Sequence, residues 1–166
     1  SSVQDIVESA GVSLGADFPD RWNDRLPAIL AQGVEAIPHV KELIESLRQR
    51  GIPYCVASSA RIHKMQNTLG QTGMLSWFEG RMFSAQMVAR GKPFPDVFLH
   101  AAREMGFRPD NCVVIEDSLA GAQAGEAAGM RVFGYCGDEM ADREGLAEAG
   151  AILFDDMRDF ERLALA

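Results

Sequence analysis

The sequence predicts an α/β fold: a parallel sheet with helices on both faces. Two observations carry this. From about residue 40 onward, short apolar β-branched runs alternate with stretches of helical periodicity, and repeated βα units imply a parallel sheet. Second, Val113-Val114-Ile115 runs straight into Glu116-Asp117-Ser118. An apolar run of this kind fits a strand buried on both faces. Polar groups at the end of such a strand lie where open α/β sheets hold their ligands.

Taken in order, residues 1–34 read as helical. Val3, Ile6, Val7 and Ala10 recur at helical spacing and Gly11 ends the turn. A second segment starts at Phe18-Pro19 and continues through Trp22, Leu26, Ile29 and Leu30, with Pro27 a candidate kink. No strand pattern occurs here, so this block is expected to be a helical appendage, and residues 33–38 a joint to a core beginning at residue 35. Pro38 opens an amphipathic helix with Val40, Leu43, Ile44 and Leu47 on one face and Lys41, Glu42, Glu45 and Arg48 on the other; Gly51 stops it. Strands are then expected at 52–57, 81–83, 112–115, 131–135 and 151–154. Helices are expected at 61–69, 95–105, 119–128 and 142–149, with a short one at the end. Gly121, Gly125 and Gly129 recur every fourth residue, and small residues at that spacing let a helix pack closely on a sheet.

The composition narrows the class. The chain has 166 residues, 47% of them hydrophobic, and a net charge of −8 with no basic cluster, which argues against nucleic acid or an anionic membrane as partner. No apolar run approaches the roughly 20 residues of a membrane span. The polar residues Ser1 to Glu8 do not resemble a signal peptide, so a cytoplasmic protein is expected. Cys55, Cys112 and Cys136 form no C-x-x-C pair and are expected to be buried free thiols. No G-x-G-x-x-G follows a strand, which leaves a dinucleotide site without support.

Three strand ends carry candidate chemistry. The strand at 52–57 ends in Ser58-Ser59-Ala60-Arg61, where hydroxyls and free backbone N–H groups at a helix start can bind phosphate; an ordinary serine cap explains the same residues. Lys92 stands in Gly91-Lys92-Pro93-Phe94-Pro95-Asp96, a loop pinned by glycine and prolines, and a fixed ammonium suits a contact to phosphate or carboxylate. Glu116 and Asp117 repel each other unless a cation or proton intervenes, so Mg²⁺ is the natural ligand; a helix cap beside a solvated acid is the alternative. Adjacent side chains on a strand point to opposite faces, so both acids reach one site only if the backbone turns at Glu116. Ser118 is placed to cap the next helix or to steady a carboxylate. His39, His63 and His100 fall on predicted helices and read as surface or packing residues.

Ser58, Lys92 and Glu116-Asp117, each after a βα step, resemble the second, third and fourth motifs of the haloacid dehalogenase superfamily. Arg90-Gly91-Lys92-Pro93-Phe94-Pro95-Asp96-Val97-Phe98 and Ile115-Glu116-Asp117-Ser118-Leu119-Ala120-Gly121 are similar to the branch containing β-phosphoglucomutase and small sugar-phosphate phosphatases. Lys64 to Leu69 and the Gly121–Gly125 stretch resemble its 6-phosphogluconate phosphatase-like members. The resemblance covers about residues 35–155. It implies a Rossmann-like core with a helical cap, of which residues 1–34 would be the later part. It also implies a Mg²⁺-dependent phosphatase of small phosphorylated sugars or sugar acids that works through an aspartyl-phosphate. Ser58 would then hydrogen-bond the transferring phosphoryl group and Lys92 would neutralise its charge. Asp117 would ligate Mg²⁺ with Glu116 in or beside the coordination shell, and Ser59 and Arg61 would add phosphate contacts.

One feature departs from the family. Its first motif, an Asp-x-Asp at the end of a central strand, occurs nowhere in the 166 residues. The nucleophile, the acid/base aspartate and one Mg²⁺ ligand are therefore expected upstream, and the strands on either side of the absent one are expected to have unpaired edges. A sugar phosphomutase of the same fold and a non-catalytic fragment or binding protein are the alternatives. A small phosphorylated metabolite is the expected partner, and a monomer or weak dimer the expected state.

Overall fold

Five short parallel strands and six helices follow one another in a computed structural model that describes residues 34–165. The chain parts into two units after Glu35, and these elements all belong to the second, Ala36–Ala166. Of the helical cap expected for 1–34, residues 1–33 lie outside the described residues.

Helix α1 (Val40–Gln49) buries Leu43, Ile44 and Leu47, the face its periodicity marks. Its predicted start is corrected by two residues. His39 takes a left-handed backbone (φ 62°) immediately before the helix, and its ring pairs with Glu42. Strand β1 (Val56–Ser58) is shorter and later than the expected 52–57. It pairs only with β2 (Met82–Ser84), over three residues, so residues 52–55 have no ladder partner among the described residues. Between them runs α2 (Ile62–Gln71). The rest follows the predicted order within one to two residues: α3 (Asp96–Met105), β3 (Val113–Glu116), α4 (Leu119–Ala127), β4 (Arg131–Tyr135), α5 (Arg143–Glu148), β5 (Ile152–Phe154) and α6 (Phe160–Ala164).

The strands form two parallel ladders, β1-β2 and β3-β4-β5. β1 and β3, the strands expected to flank a further one, each pair on one side only among the described residues. Helices cover both faces of the larger ladder. On one face Val114 and Val132 join Val97, Phe98, Ala101, Ala122, Ala124 and Leu146. Gly125 is what allows this contact, because a Cβ there would come within 2.7 Å of Val132 Cγ2. On the other face Phe133, Tyr135 and Phe154 pack with Leu43, Leu47 and Phe160.

β3 corrects one expectation. It is not buried on both faces: Val114 and Glu116 are buried, but Val113 and Ile115 are each 36% exposed. Ile115 pairs with Phe133 and so shares its face, yet the cluster that covers Phe133 contains no residue of β3. The thiols also differ from expectation, for only Cys136 is buried, while Cys55 and Cys112 are half-buried; all three are free. Cys55 is inert by environment, since burial pushes its thiol up to about 11. No helix among the described residues is long and apolar enough to cross a membrane.

Candidate active site

Parallel strands that end together bring their following loops to one edge, and here β1 and β3 deliver Ser58 and Glu116 to it. Ser58 is the last residue of β1. Its Oγ accepts the Ala60 N–H at 3.1 Å, which folds the Ser58–Arg61 segment into a tight turn before α2. With that lone pair in use, the hydroxyl proton remains available to a ligand. Ser59 and Arg61 are exposed, and neither side chain has a hydrogen-bond or ion-pair partner among the described residues.

Sequence reasoning missed the residue that holds this turn in place. Ser84 ends β2 in register with Ser58, and it is 1% exposed. Its hydroxyl donates to the Ala60 carbonyl at 2.8 Å and accepts Gln86 N–H at 3.2 Å. A serine closing the predicted strand at 81–83 was the available signal. Ser84→Ala is expected to lower unfolding stability by about 1 kcal/mol, since it strips the Ala60 carbonyl and the Gln86 N–H of the buried hydroxyl that both of them bond. A urea midpoint that falls with an unchanged slope checks this.

Lys92 is held more firmly than its loop alone predicts. Arg90 and Asp96 clasp across the loop with two hydrogen bonds of 3.2 and 2.8 Å, and Arg90 lies 4.5 Å over the Phe94 ring. The Arg90 guanidinium holds the Asp96 carboxyl below its ordinary range. Inside this clasp the Lys92 ammonium donates to the Ala57 carbonyl of β1 at 3.4 Å and pairs with Glu116 Oε1 at the end of β3. The Lys92 and Glu116 side chains are only 10% and 8% exposed. One ammonium therefore ties together the ends of two strands that do not otherwise pair.

Glu116 and Asp117 divide their work. Glu116 shares the parity of Val114 and turns under the start of α4. Its second oxygen accepts the Ser118 hydroxyl at 2.9 Å. Ser118 does both things foreseen for it, because its Oγ also accepts Gly121 N–H at 3.1 Å and caps α4. Gly121 makes room for this arrangement, since a Cβ there would overlap the Glu116 carboxyl group. Asp117 lies past the strand, exposed, with no hydrogen bond or ion pair among the described residues.

The structure thus brings Lys92, Glu116 and the β1 end beside Ser58 together, leaves Asp117 open to solvent next to them, and ties neither Ser59 nor Arg61 to the group. His63 is exposed, and His100 packs edge-on against Phe83 and contacts Arg103. Neither adjoins the Ser58 hydroxyl.

Residues 4–129 match the haloacid dehalogenase-like hydrolase family. The chain belongs to this family. The 6-phosphogluconate phosphatase of Escherichia coli K12 is 39% identical over 105 residues, which are 63% of this chain and 46% of that protein. Hexitol phosphatase A of the same organism is 31% identical over 130 residues, 78% of this chain and 58% of that protein. The chain thus spans about half the length of these curated relatives. Among solved structures, a haloacid dehalogenase-like protein of unknown function from Agrobacterium tumefaciens C58 superposes with a TM-score of 0.85 at 31% identity, covering 98% of this chain and 75% of that one. A family hydrolase from Deinococcus radiodurans R1, solved with bound phosphate and sodium, gives 0.80 at 28% identity, covering 96% and 72%.

Proposed function

We propose that this chain supplies the phosphate-handling part of a phosphatase for small phosphorylated sugars or sugar acids. The observation that carries the reading is the Lys92 ammonium, buried against Glu116 and joined to the end of β1 beside Ser58. A fixed cation and a free hydroxyl proton at one sheet edge suit a phosphoryl group. The names of the E. coli relatives, which act on 6-phosphogluconate and hexitol phosphates, support the substrate class.

In this reading Ser58 donates its hydroxyl to a phosphoryl oxygen. Lys92 offsets the phosphoryl charge and that of the attacking carboxylate. The exposed Ser59 hydroxyl, the Arg61 guanidinium and the first N–H groups of α2 hold the remaining oxygens. The nucleophile in this reading is an aspartate on a strand outside these 166 residues; that β1 and β3 each pair on one side only among the described residues supports it. Attack by its carboxylate on phosphorus breaks the bond to the sugar oxygen, which leaves as the alcohol on taking a proton from an acid/base aspartate likewise outside these residues; water then hydrolyses the aspartyl-phosphate to free phosphate and the aspartate.

The acids fit Mg²⁺ unequally. Mg²⁺ is commonly held by one or two carboxylates together with phosphate oxygens and water. Asp117, exposed and without a partner among the described residues, suits that role, whereas both Glu116 oxygens are already engaged. The described residues hold no cluster of three acidic, histidine or cysteine side chains, so the rest of the coordination falls to phosphate, water and the outside strand. When bound, Mg²⁺ would supply charge stabilisation to the phosphoryl oxygens, while Glu116 would go on steadying Lys92.

The test is phosphate release by the whole protein from 6-phosphogluconate, hexitol phosphates and p-nitrophenyl phosphate, with and without Mg²⁺. Release that needs Mg²⁺ is expected. Asp117→Asn should cut it at least about 100-fold and raise the Mg²⁺ concentration required. The 166 residues alone should release none. If the whole protein hydrolyses nothing on this panel, the reading fails.

A further inference from the structure

Lys92 has one contact that neither the phosphate site nor the loop explains. Its Nζ lies over the Phe98 ring, 4.8 Å from the centroid. Phe98 belongs to the first turn of α3, is buried, and packs in the same cluster as Val97, Ala101 and Val114. A ring fixed on that side by helix and core cannot follow the ammonium if it moves.

We infer that Phe98 is a positioning residue for the lysine of the phosphate site: its ring face holds the Lys92 ammonium at the height where Ala57, Glu116 and an incoming phosphoryl group all meet it. This rests on the phosphatase reading. An ammonium carries three N–H donors on a flexible stem of four carbons, so one ion pair leaves it free to swing about the carboxylate. Glu116 supplies attraction from the β3 end and the Ala57 carbonyl from the β1 end. The aromatic face supplies the third side without a hydrogen bond, because its negative quadrupole attracts the cation within about 6 Å. A leucine in its place would fill much of the volume but present no such face. The ring leaves N–H donors free for a ligand, which a carboxylate or carbonyl in the same position would not.

The chain has three lysines, Lys41, Lys64 and Lys92, so each ε-CH₂ can be followed by NMR in protein labelled with ¹³C at lysine Cε. In the wild type the two Lys92 Hε resonances are expected to be shifted upfield by the ring and distinct from each other, as for a fixed side chain. Phe98→Leu should bring them together near the positions of a mobile lysine, with Lys41 and Lys64 unmoved; Phe98→Tyr should leave them as in the wild type. In the whole protein, kcat should fall about tenfold in Phe98→Leu with KM within about twofold, and Phe98→Tyr should restore it. Replacing Phe98 with 4-fluoro, 3,5-difluoro and pentafluoro analogues should lower kcat stepwise as the ring face loses negative charge at nearly constant size. Lys92 resonances unchanged in Phe98→Leu, or a kcat indifferent to fluorination, overturn the inference. A wild-type protein without any turnover would sink the phosphatase reading instead, and the lysine resonances would still decide whether Phe98 fixes the ammonium.

Discussion

Lys92→Met in the whole protein is expected to lower phosphate release by about 10³-fold, the cost of removing one fixed charge from a phosphoryl site. The same change should lower unfolding stability by about 3–5 kcal/mol, because it strands the Glu116 carboxylate in a buried place. Methionine keeps most of the volume of the lysine stem, so the loss reads the charge and not a cavity. Stability and activity are then separable. In Lys92→Met/Glu116→Gln the stranded charge is gone, and Ser118 still has an oxygen to bond. The denaturant midpoint should recover most of its loss while turnover stays at the single-variant level. If the double variant regains turnover, Lys92 acts only by neutralising Glu116 and has no part in the chemistry. If the single variant is as stable as the wild type, the pair is looser than its burial implies.

How much of this was legible beforehand follows from which forces act locally. The face of α1 and the span of β4 come from hydrophobic period, and both are seen where the pattern puts them. Strand β1 shifted because strand bounds depend on a partner, and β2 meets it over three residues only. β3 misled for a related reason. Three apolar residues in a row promise cover on both sides, but Val113 and Ile115 face a side that the described residues leave partly open.

At the site, Ser58, Lys92 and the Glu116-Asp117 pair stood out because charged and hydroxyl residues at strand ends break the apolar pattern. Their division of labour did not. Which acid turns inward depends on strand parity and on a helix start passing overhead, both tertiary facts. Ser84 and Phe98 were hidden by ordinariness: one reads as a loop serine, the other as one more apolar residue of an amphipathic helix. Gly121 was read as a packing glycine beside Gly125, yet the two do different things. Gly125 meets the side chains of Val132 and Val114, whereas Gly121 meets the carboxyl group of the site.

That difference makes Gly121→Ala the sharpest probe of the site from outside it. Helix propensity alone predicts a gain of about 1 kcal/mol, since the position lies in α4 and alanine is the better helix former. The geometry predicts the opposite sign. A methyl group at 121 would occupy the space of the Glu116 carboxyl carbon and both its oxygens. The carboxylate cannot yield cheaply, because Lys92 holds one oxygen and Ser118 the other, and the side chain is buried. To admit the methyl, Glu116 must rotate out of its ion pair or α4 must lift from the sheet. Either should cost about 1–3 kcal/mol beyond the lost propensity gain, and either frees the Lys92 ammonium, so turnover should drop by at least about tenfold. A general helix defect is told apart by shortening the acid. Glu116→Asp alone should destabilise, since the carboxylate no longer reaches Lys92. In the Gly121→Ala background it should cost less or stabilise, because the shorter acid clears the methyl. A coupling of at least about 1 kcal/mol between the two sites is expected from their contact. Strict additivity would mean that Gly121 acts on the helix alone, and that Glu116 is held by Lys92 and Ser118 without needing the open backbone beneath it.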